Sequence, residues 1–277
     1  MPSAASAAGP TLAGSGNEKR VRFGDRLQLS GRLPAGATSV VQLEYAPGGQ
    51  SFRAVSKTTA DASGAYRFSI RPRRSGRYRT VSPEGFSSTR AVTVVARLAG
   101  RADRHVRAGS RVGVRGRLAP GLGGRRVRLE LATARGWRVV DRTLTGAGGR
   151  YRAVWRASQS GRYRLRVRFA GDGANSAVSR TLRGRVYVYR PGLASWYGPG
   201  LYGNPLGCGG TLTYGTLGVA HKSLPCGTKV TVRYRGRSIT VPVVDRGPYV
   251  GAREFDLTSA TKSRIGFGSV GTVWVAH

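Results

Sequence analysis

The sequence predicts an all-β protein. Three observations carry that reading: short runs with strict two-residue alternation, a long tandem repeat, and a scarcity of helix signals. In Arg162-Tyr163-Arg164-Leu165-Arg166-Val167-Arg168-Phe169, Arg holds every second position and an apolar or aromatic residue the other. A period of two puts one set in a core and the other in water, as in a half-buried strand. Val127-Arg128-Leu129-Glu130-Leu131 and Arg26-Leu27-Gln28-Leu29 follow the same rule. Gly, Ser, Asp and Pro gather between such runs, where turns between antiparallel strands belong.

The repeat runs from about Arg20 to Val188. Val21-Arg22-Phe23-Gly24-Asp25-Arg26-Leu27 returns as Val106-Arg107-Ala108-Gly109-Ser110-Arg111-Val112. Ser30-Gly31-Arg32-Leu33 returns as Arg115-Gly116-Arg117-Leu118, and Ser75-Gly76-Arg77-Tyr78 as Ser160-Gly161-Arg162-Tyr163, each 85 positions on. That offset is too long for a solenoid unit and suits one duplicated domain. Several short strands per copy predict a β-sandwich. Neither copy holds a cysteine, so no inter-sheet disulfide is available. Phe169-Ala170-Gly171-Asp172-Gly173 with Ser176 and Ser179 resembles the ends of bacterial surface immunoglobulin-like repeats. The predicted organisation is a flexible segment over 1–19, sandwiches over 20–98 and 99–189, and a different domain over 190–277.

The 277 residues carry a formal net charge of +35, and nearly all the cations are Arg. Such a field draws polyanions: nucleic acid, anionic lipid or the anionic polymers of a bacterial wall. Nucleic acid is disfavoured, because no binding motif or interleaved aromatic pattern accompanies the charge. No stretch approaches the ~20 apolar residues of a membrane span. Met1 to Gly16 is rich in Ala, Ser and Gly but lacks the basic and apolar regions of a complete signal peptide. A remnant of one and a wall-spanning linker both fit.

The residues able to do chemistry gather between Ala194 and Leu257: both cysteines, one of three histidines, spaced aspartates and an aromatic pair. Lys229 to Tyr234 and Ser238 to Val244 read as a hairpin around Arg235-Gly236-Arg237. The second strand delivers Asp245 at its end, beside a Gly-Pro turn, where a site residue is held rigidly. The same position also suits a turn residue that pairs Arg246 or accepts from backbone N–H groups. Thr258 to Ile265 is the one helix signal, with Asp or Thr as N-cap, Lys and Arg in the last turn and Gly after it.

Ala194-Ser195-Trp196-Tyr197-Gly198, Ala220-His221-Lys222-Ser223-Leu224-Pro225 with Gly227-Thr228, Asp245-Arg246-Gly247-Pro248 and Phe255-Asp256-Leu257 occur in the order of the RlpA-like (rare lipoprotein A) family, which this region resembles. The resemblance implies a six-stranded double-psi β-barrel with one short helix, related to the first domain of expansins. It implies peptidoglycan glycan strands as partner and, as in some members, lytic transglycosylase chemistry. Asp245 is then the candidate acid/base, one carboxyl serving both proton transfers in turn. Asp256 is the second carboxyl, by its expansin-like Phe-Asp setting, and His221 would orient either. Trp196 and Tyr197 would stack on sugar rings, with Arg246 as a further substrate contact.

The family often carries Glu where this chain has Gly210, so a two-carboxylate glycosidase scheme loses its partner. A one-acid enzyme and a non-catalytic wall-binding module both remain. Within a domain resembling exported proteins, Cys208 and Cys226 are expected to be disulfide-bonded. The implied location is secreted or wall-associated.

No metal or cofactor is expected. CxxC spacing is missing, and Gly266-Phe267-Gly268-Ser269-Val270-Gly271 follows a helix, the reverse of a dinucleotide fingerprint. Ser223 beside His221 has no nucleophile elbow around it.

Overall fold

The alternating runs become strands of two sandwiches and a closed barrel. The computed structural model describes residues 9–14 and 20–277. In the first sandwich, Leu27–Arg32 pairs with Ala65–Ile70. That sheet faces a larger one in which Arg53–Thr59, Val40–Pro47, Gly76–Ser82 and Arg90–Val95 lie side by side. Leu29, Val41, Leu43, Phe68 and Tyr78 fill the space between. In the second, Arg97–Ala102, Arg111–Ala119 and Arg150–Arg156 face a sheet built on Arg126–Thr133 and Leu165–Gly171. Val112, Val114, Leu129, Trp155 and Val167 form its core.

The repeat has a packing cause. Gly31 lies opposite Tyr66 and Gly116 opposite Tyr151. A Cβ on Gly31 would sit 2.3 Å from the Tyr66 hydroxyl, and one on Gly116 2.2 Å from that of Tyr151. Each Tyr ring lies flat across its Gly, so a side chain there would evict it. Each copy also keeps one ion pair at a bulge, Arg79 with Glu44 and Arg166 with Glu130.

The segment expected to be flexible over 1–19 is structured in part. Ala13–Gly14 pairs with Leu29 and Ser30, and Leu12 is buried in the first core. The Tyr66 hydroxyl donates to the Thr11 carbonyl, as Tyr151 does to Ala99 in the second copy. This stretch therefore supplies the first strand of its sandwich. Residues 1–8 and 15–19 lie outside the described residues.

The C-terminal domain contains β1 (Val186–Tyr197), β2 (Val219–His221), β3 (Lys229–Tyr234), β4 (Arg237–Asp245), β5 (Phe255–Thr258), α1 (Ser259–Ile265) and β6 (Gly271–Ala276). β1 and β2 each lie between or beside strands of both senses: β1 runs parallel to β5, and β2 parallel to β4. The other pairings, β2–β5, β3–β4, β3–β6 and β6–β1, are antiparallel. The ring therefore closes and leaves no free edge. Val230, Val232, Val241, Val243, Phe255 and Leu257 fill it. The hairpin turns at Arg235 (φ 43°) and Gly236 (φ 87°), the two positive angles a two-residue primed turn needs. Arg237 is thereby already in the strand.

β1 is one strand shared by two cores. Val186 and Val188 are buried with the second sandwich, Ala194 with the barrel. Its first half pairs with His105–Arg107, its second with β5 and β6. Residues 189 and 190 thus lie within one continuous strand, Val186–Tyr197.

Candidate active site

One row across the barrel sets the site. Ser195 of β1 lies opposite Asp256 of β5, Asp256 opposite Ala220 of β2, and Ala220 opposite Asp245 at the end of β4. Residues directly opposite share a face, so both aspartates are brought to one side of the sheet. On Asp245, Oδ1 accepts from the N–H of Gly207 at 2.7 Å and of Arg246 at 2.8 Å. The described hydrogen bonds leave its Oδ2 unused. On Asp256, Oδ1 is buried without a partner. Burial pushes the Asp256 carboxyl above its usual range, and the nearby Asp245 charge adds to that.

Tyr197 completes the cluster. Its hydroxyl is buried without a normal hydrogen bond among the described residues. Burial first, then the charge of Asp245 and the hydroxyl's approach to that carboxylate, and last the charge of Asp256, push its ionisation upward, so it remains a neutral phenol. Trp196 faces the other way, as the strand's alternation requires. It packs on the barrel core with the Lys262 ammonium 3.7 Å from its ring centroid. The two neighbouring aromatics thus face core and site respectively, as strand alternation leads one to expect.

The described contacts of His221 are with groups other than the two aspartates. Its Nδ1 accepts from the N–H of Ser223 at 3.1 Å and of Leu224 at 3.0 Å. The proton therefore sits on Nε2, which faces Glu254 Oε1 at 3.6 Å. Burial lowers the imidazole's pKa, partly offset by Glu254. Its ring lies 4.9 Å from that of Phe255. Glu254 in turn is gripped by both terminal nitrogens of Arg190, Nη1 at 2.7 Å from Oε2. Arg190 holds its carboxyl below the usual range. A carboxylate so paired is a poor stand-in for a missing catalytic one.

Arg246, expected at substrate, is engaged within the protein. Its Nη1 donates to the carbonyls of His221 at 3.2 Å and Leu224 at 2.7 Å, and its Nη2 to Cys226 Sγ at 3.0 Å. Cys226 is bonded to Cys208, with Cα atoms 5.5 Å apart, as the sequence implied. Disulfide, Arg246 and the Gly207 N–H together fasten the loop before β2 to the end of β4, so the backbone around Asp245 is fixed before any substrate arrives.

Gly210 lies in that loop at φ 79°, next to Gly209 at φ 91°. A Cβ at Gly210 would meet nothing within 4 Å, so the position has room but a left-handed backbone.

Two features escaped the sequence reading. Tyr214 is 78% exposed and its ring lies 3.9 Å from that of Tyr202, whose hydroxyl meets Ser259 Oγ at 2.7 Å. Tyr249, shortly after Asp245, is 77% exposed. Both exposed rings lie in Gly-containing loops, where no strand period assigns a face. An exposed Tyr beside Gly in a loop is the available signal. Helix α1 follows β5 and is tied to the residue before β2: Thr258 caps it, Gly266 ends it at φ 67°, and Thr258 and Thr261 hydroxyls bond Gly218.

Among the described residues no cluster of His, Cys, Asp and Glu suits a metal ion, and no helix is long and apolar enough to cross a membrane.

Comparison with known proteins bears on this region. A family profile described as lytic transglycolase matches residues 190–277. A probable endolytic peptidoglycan transglycosylase RlpA from Synechocystis sp. is 42% identical over 87 residues, covering 31% of this chain and 27% of the relative. The endolytic peptidoglycan transglycosylase RlpA of Campylobacter jejuni is 45% identical over 83 residues, 29% of this chain and 30% of the relative. That of Pseudomonas aeruginosa is 34% identical over 114 residues, 38% and 33%. The chain thus spans about a third or less of the length of these curated relatives. Residues 190–277, which form the closed six-stranded barrel, thus match the lytic transglycolase family profile, and RlpA proteins are homologues of this C-terminal region.

Proposed function

We propose that the barrel binds peptidoglycan glycan strands and cleaves them as a lytic transglycosylase, with Asp245 as the one acid/base. The observation that carries this is the Tyr197–Asp245–Asp256 cluster. Asp245 has one oxygen fixed by two amides and the other unused, at the end of a closed barrel's strand. In acid form it protonates the leaving glycosidic oxygen as the C1–O bond breaks. As carboxylate it then takes the proton of the sugar's own 6-hydroxyl, whose oxygen bonds C1 and gives a 1,6-anhydro end. The net change moves one proton from the 6-oxygen to the leaving oxygen, so no water is activated. Asp256, buried next to Asp245, resists ionisation. Tyr197 supplies a neutral donor in the same field. Tyr214 and Tyr249 offer the exposed ring faces for sugar that Trp196 does not.

A non-catalytic wall-binding module is the second reading. It is favoured by Gly210 at the family's Glu position and by Glu254 being held by Arg190. The disulfide accords with an oxidising location, secreted or wall-associated. The Arg-rich sandwiches would hold the protein on acidic wall polymers.

The experiment is incubation of the full chain with purified sacculi. Asp245→Asn keeps shape but cannot exchange the proton. Fragment release should fall about 10²–10⁴-fold, with sacculus pelleting unchanged. Binding without fragments from the parent chain would leave the non-catalytic reading.

A further inference from the structure

Where the two sandwiches meet, a cleft of about 720 Å³ opens, far in sequence from the barrel. Arg53, Arg71, Arg73 and Arg74 line it, and all are exposed. None has an ion-pair partner among the described residues. Its apolar surface is Val55 and Ile70 from the first copy and Leu122 from the second, over buried Pro72. Tyr45 and Tyr78 also line it but are nearly buried, at 7% and 5% exposure.

The cleft is held in shape from behind. Arg125, 6% exposed, donates to Asp172 at 2.9 Å, Asn175 at 3.0 Å and the Pro120 carbonyl at 3.2 Å. Asn175, fully buried, donates to the Arg73 carbonyl at 3.1 Å, and Ser75 N–H to the Ala174 carbonyl at 2.7 Å. These bonds clamp the backbone of the Arg71–Arg74 segment and leave its side chains free.

The second copy is an internal control. The conserved ion pair sets Glu44 against Glu130, so Tyr45 corresponds to Leu131. Arg73 and Arg74 correspond to Ser158 and Gln159, 85 positions on. The fold is made without those two arginines, so folding does not explain them.

We infer that this cleft binds an acidic saccharide chain, its phosphate or carboxylate groups on Arg73 and Arg74 and its C–H faces on the apolar wall. Guanidinium forks pair with either anion. A saccharide fits better than a nucleic acid, because bases need exposed aromatic faces to stack on and both tyrosines are nearly buried. The inference rests on the proposal that the sandwiches carry acidic wall polymer, and gives it a place.

The test uses the full chain with fluorescent phosphomannan, polygalacturonate and oligouridylate. Arg73→Ser with Arg74→Gln installs the second copy's own residues. Arg180→Ser with Arg183→Gln removes equal charge from exposed positions outside the cleft. An unchanged thermal midpoint in both variants confirms folding. The cleft variant should bind one or both saccharide polymers at least about tenfold more weakly, and the control less than about threefold. Which polymer loses affinity identifies the anion. Equal losses would overturn the cleft and leave only diffuse charge attraction. No binding of either saccharide by the parent would overturn the acidic-polymer proposal with it. Tighter binding of oligouridylate, lost in the same variant, would overturn the saccharide assignment.

Discussion

Removing the disulfide tests how the site is held. Cys208 and Cys226 are 18 positions apart, and closing a loop of that size restricts the unfolded chain by about 3 kcal/mol in the chain-entropy model. The bond also fixes the loop whose Gly207 N–H bonds Asp245. Cys208→Ala with Cys226→Ala should therefore lower both stability and fragment release. If the barrel unfolds alone, about 3 kcal/mol lowers its thermal midpoint by roughly 12–24 °C. If β1 makes it unfold with the second sandwich, the larger unit shows roughly 6–12 °C. Calorimetry of parent and variant reads both the drop and the size of the unit. Ellman titration of the denatured, unreduced parent should find no thiol. An unchanged midpoint with two titrating thiols would refute the reasoning.

Other perturbations probe the carboxylates and the charge. Gly210→Glu should destabilise by about 1–2 kcal/mol, the cost of a left-handed side-chain residue, and should shift part of the product to reducing ends; mass analysis of fragments reads the shift. Asp256→Asn should stabilise the protein at pH 7. The raised carboxyl favours the fold below its unfolded value near 3.8 and loses that contribution as pH rises through its folded value. Urea titrations should show the gain at pH 7 and none below about pH 3.8. Sacculus pelleting should weaken as ionic strength rises from about 0.1 to 1 M, which shortens screening from about 10 to 3 Å; insensitivity to salt would remove charge from the account.

What the sequence revealed follows from local physics. Alternation marked the strands, and the Gly opposite each Tyr made the duplication visible. Thr258, Lys262, Arg264 and Gly266 marked a seven-residue helix by its ends. Asp245 at the close of a strand was legible because strand and turn are both local. The strand at Ala13–Gly14 was not, since its Ala/Gly-rich run carries no period and gains its place from Tyr66 and the neighbouring Leu27–Arg32. Nor was the fate of His221, which depends on Glu254 and Arg190, brought to it only by barrel closure. Arg246 looked free for substrate because its carbonyl and sulfur partners lie about twenty positions away. Loop tyrosines lacked any period to assign a face.

The central claim is that Asp245 cleaves glycan without activating water. The most direct measurement is the mass of fragments released from purified sacculi by the full chain and by Asp245→Asn. The account predicts anhydro-ended fragments from the parent, each one water lighter than its hydrolysed counterpart. It predicts their near-absence from the variant at equal sacculus binding. Reducing-end fragments from the parent, or anhydro fragments undiminished in the variant, would contradict it.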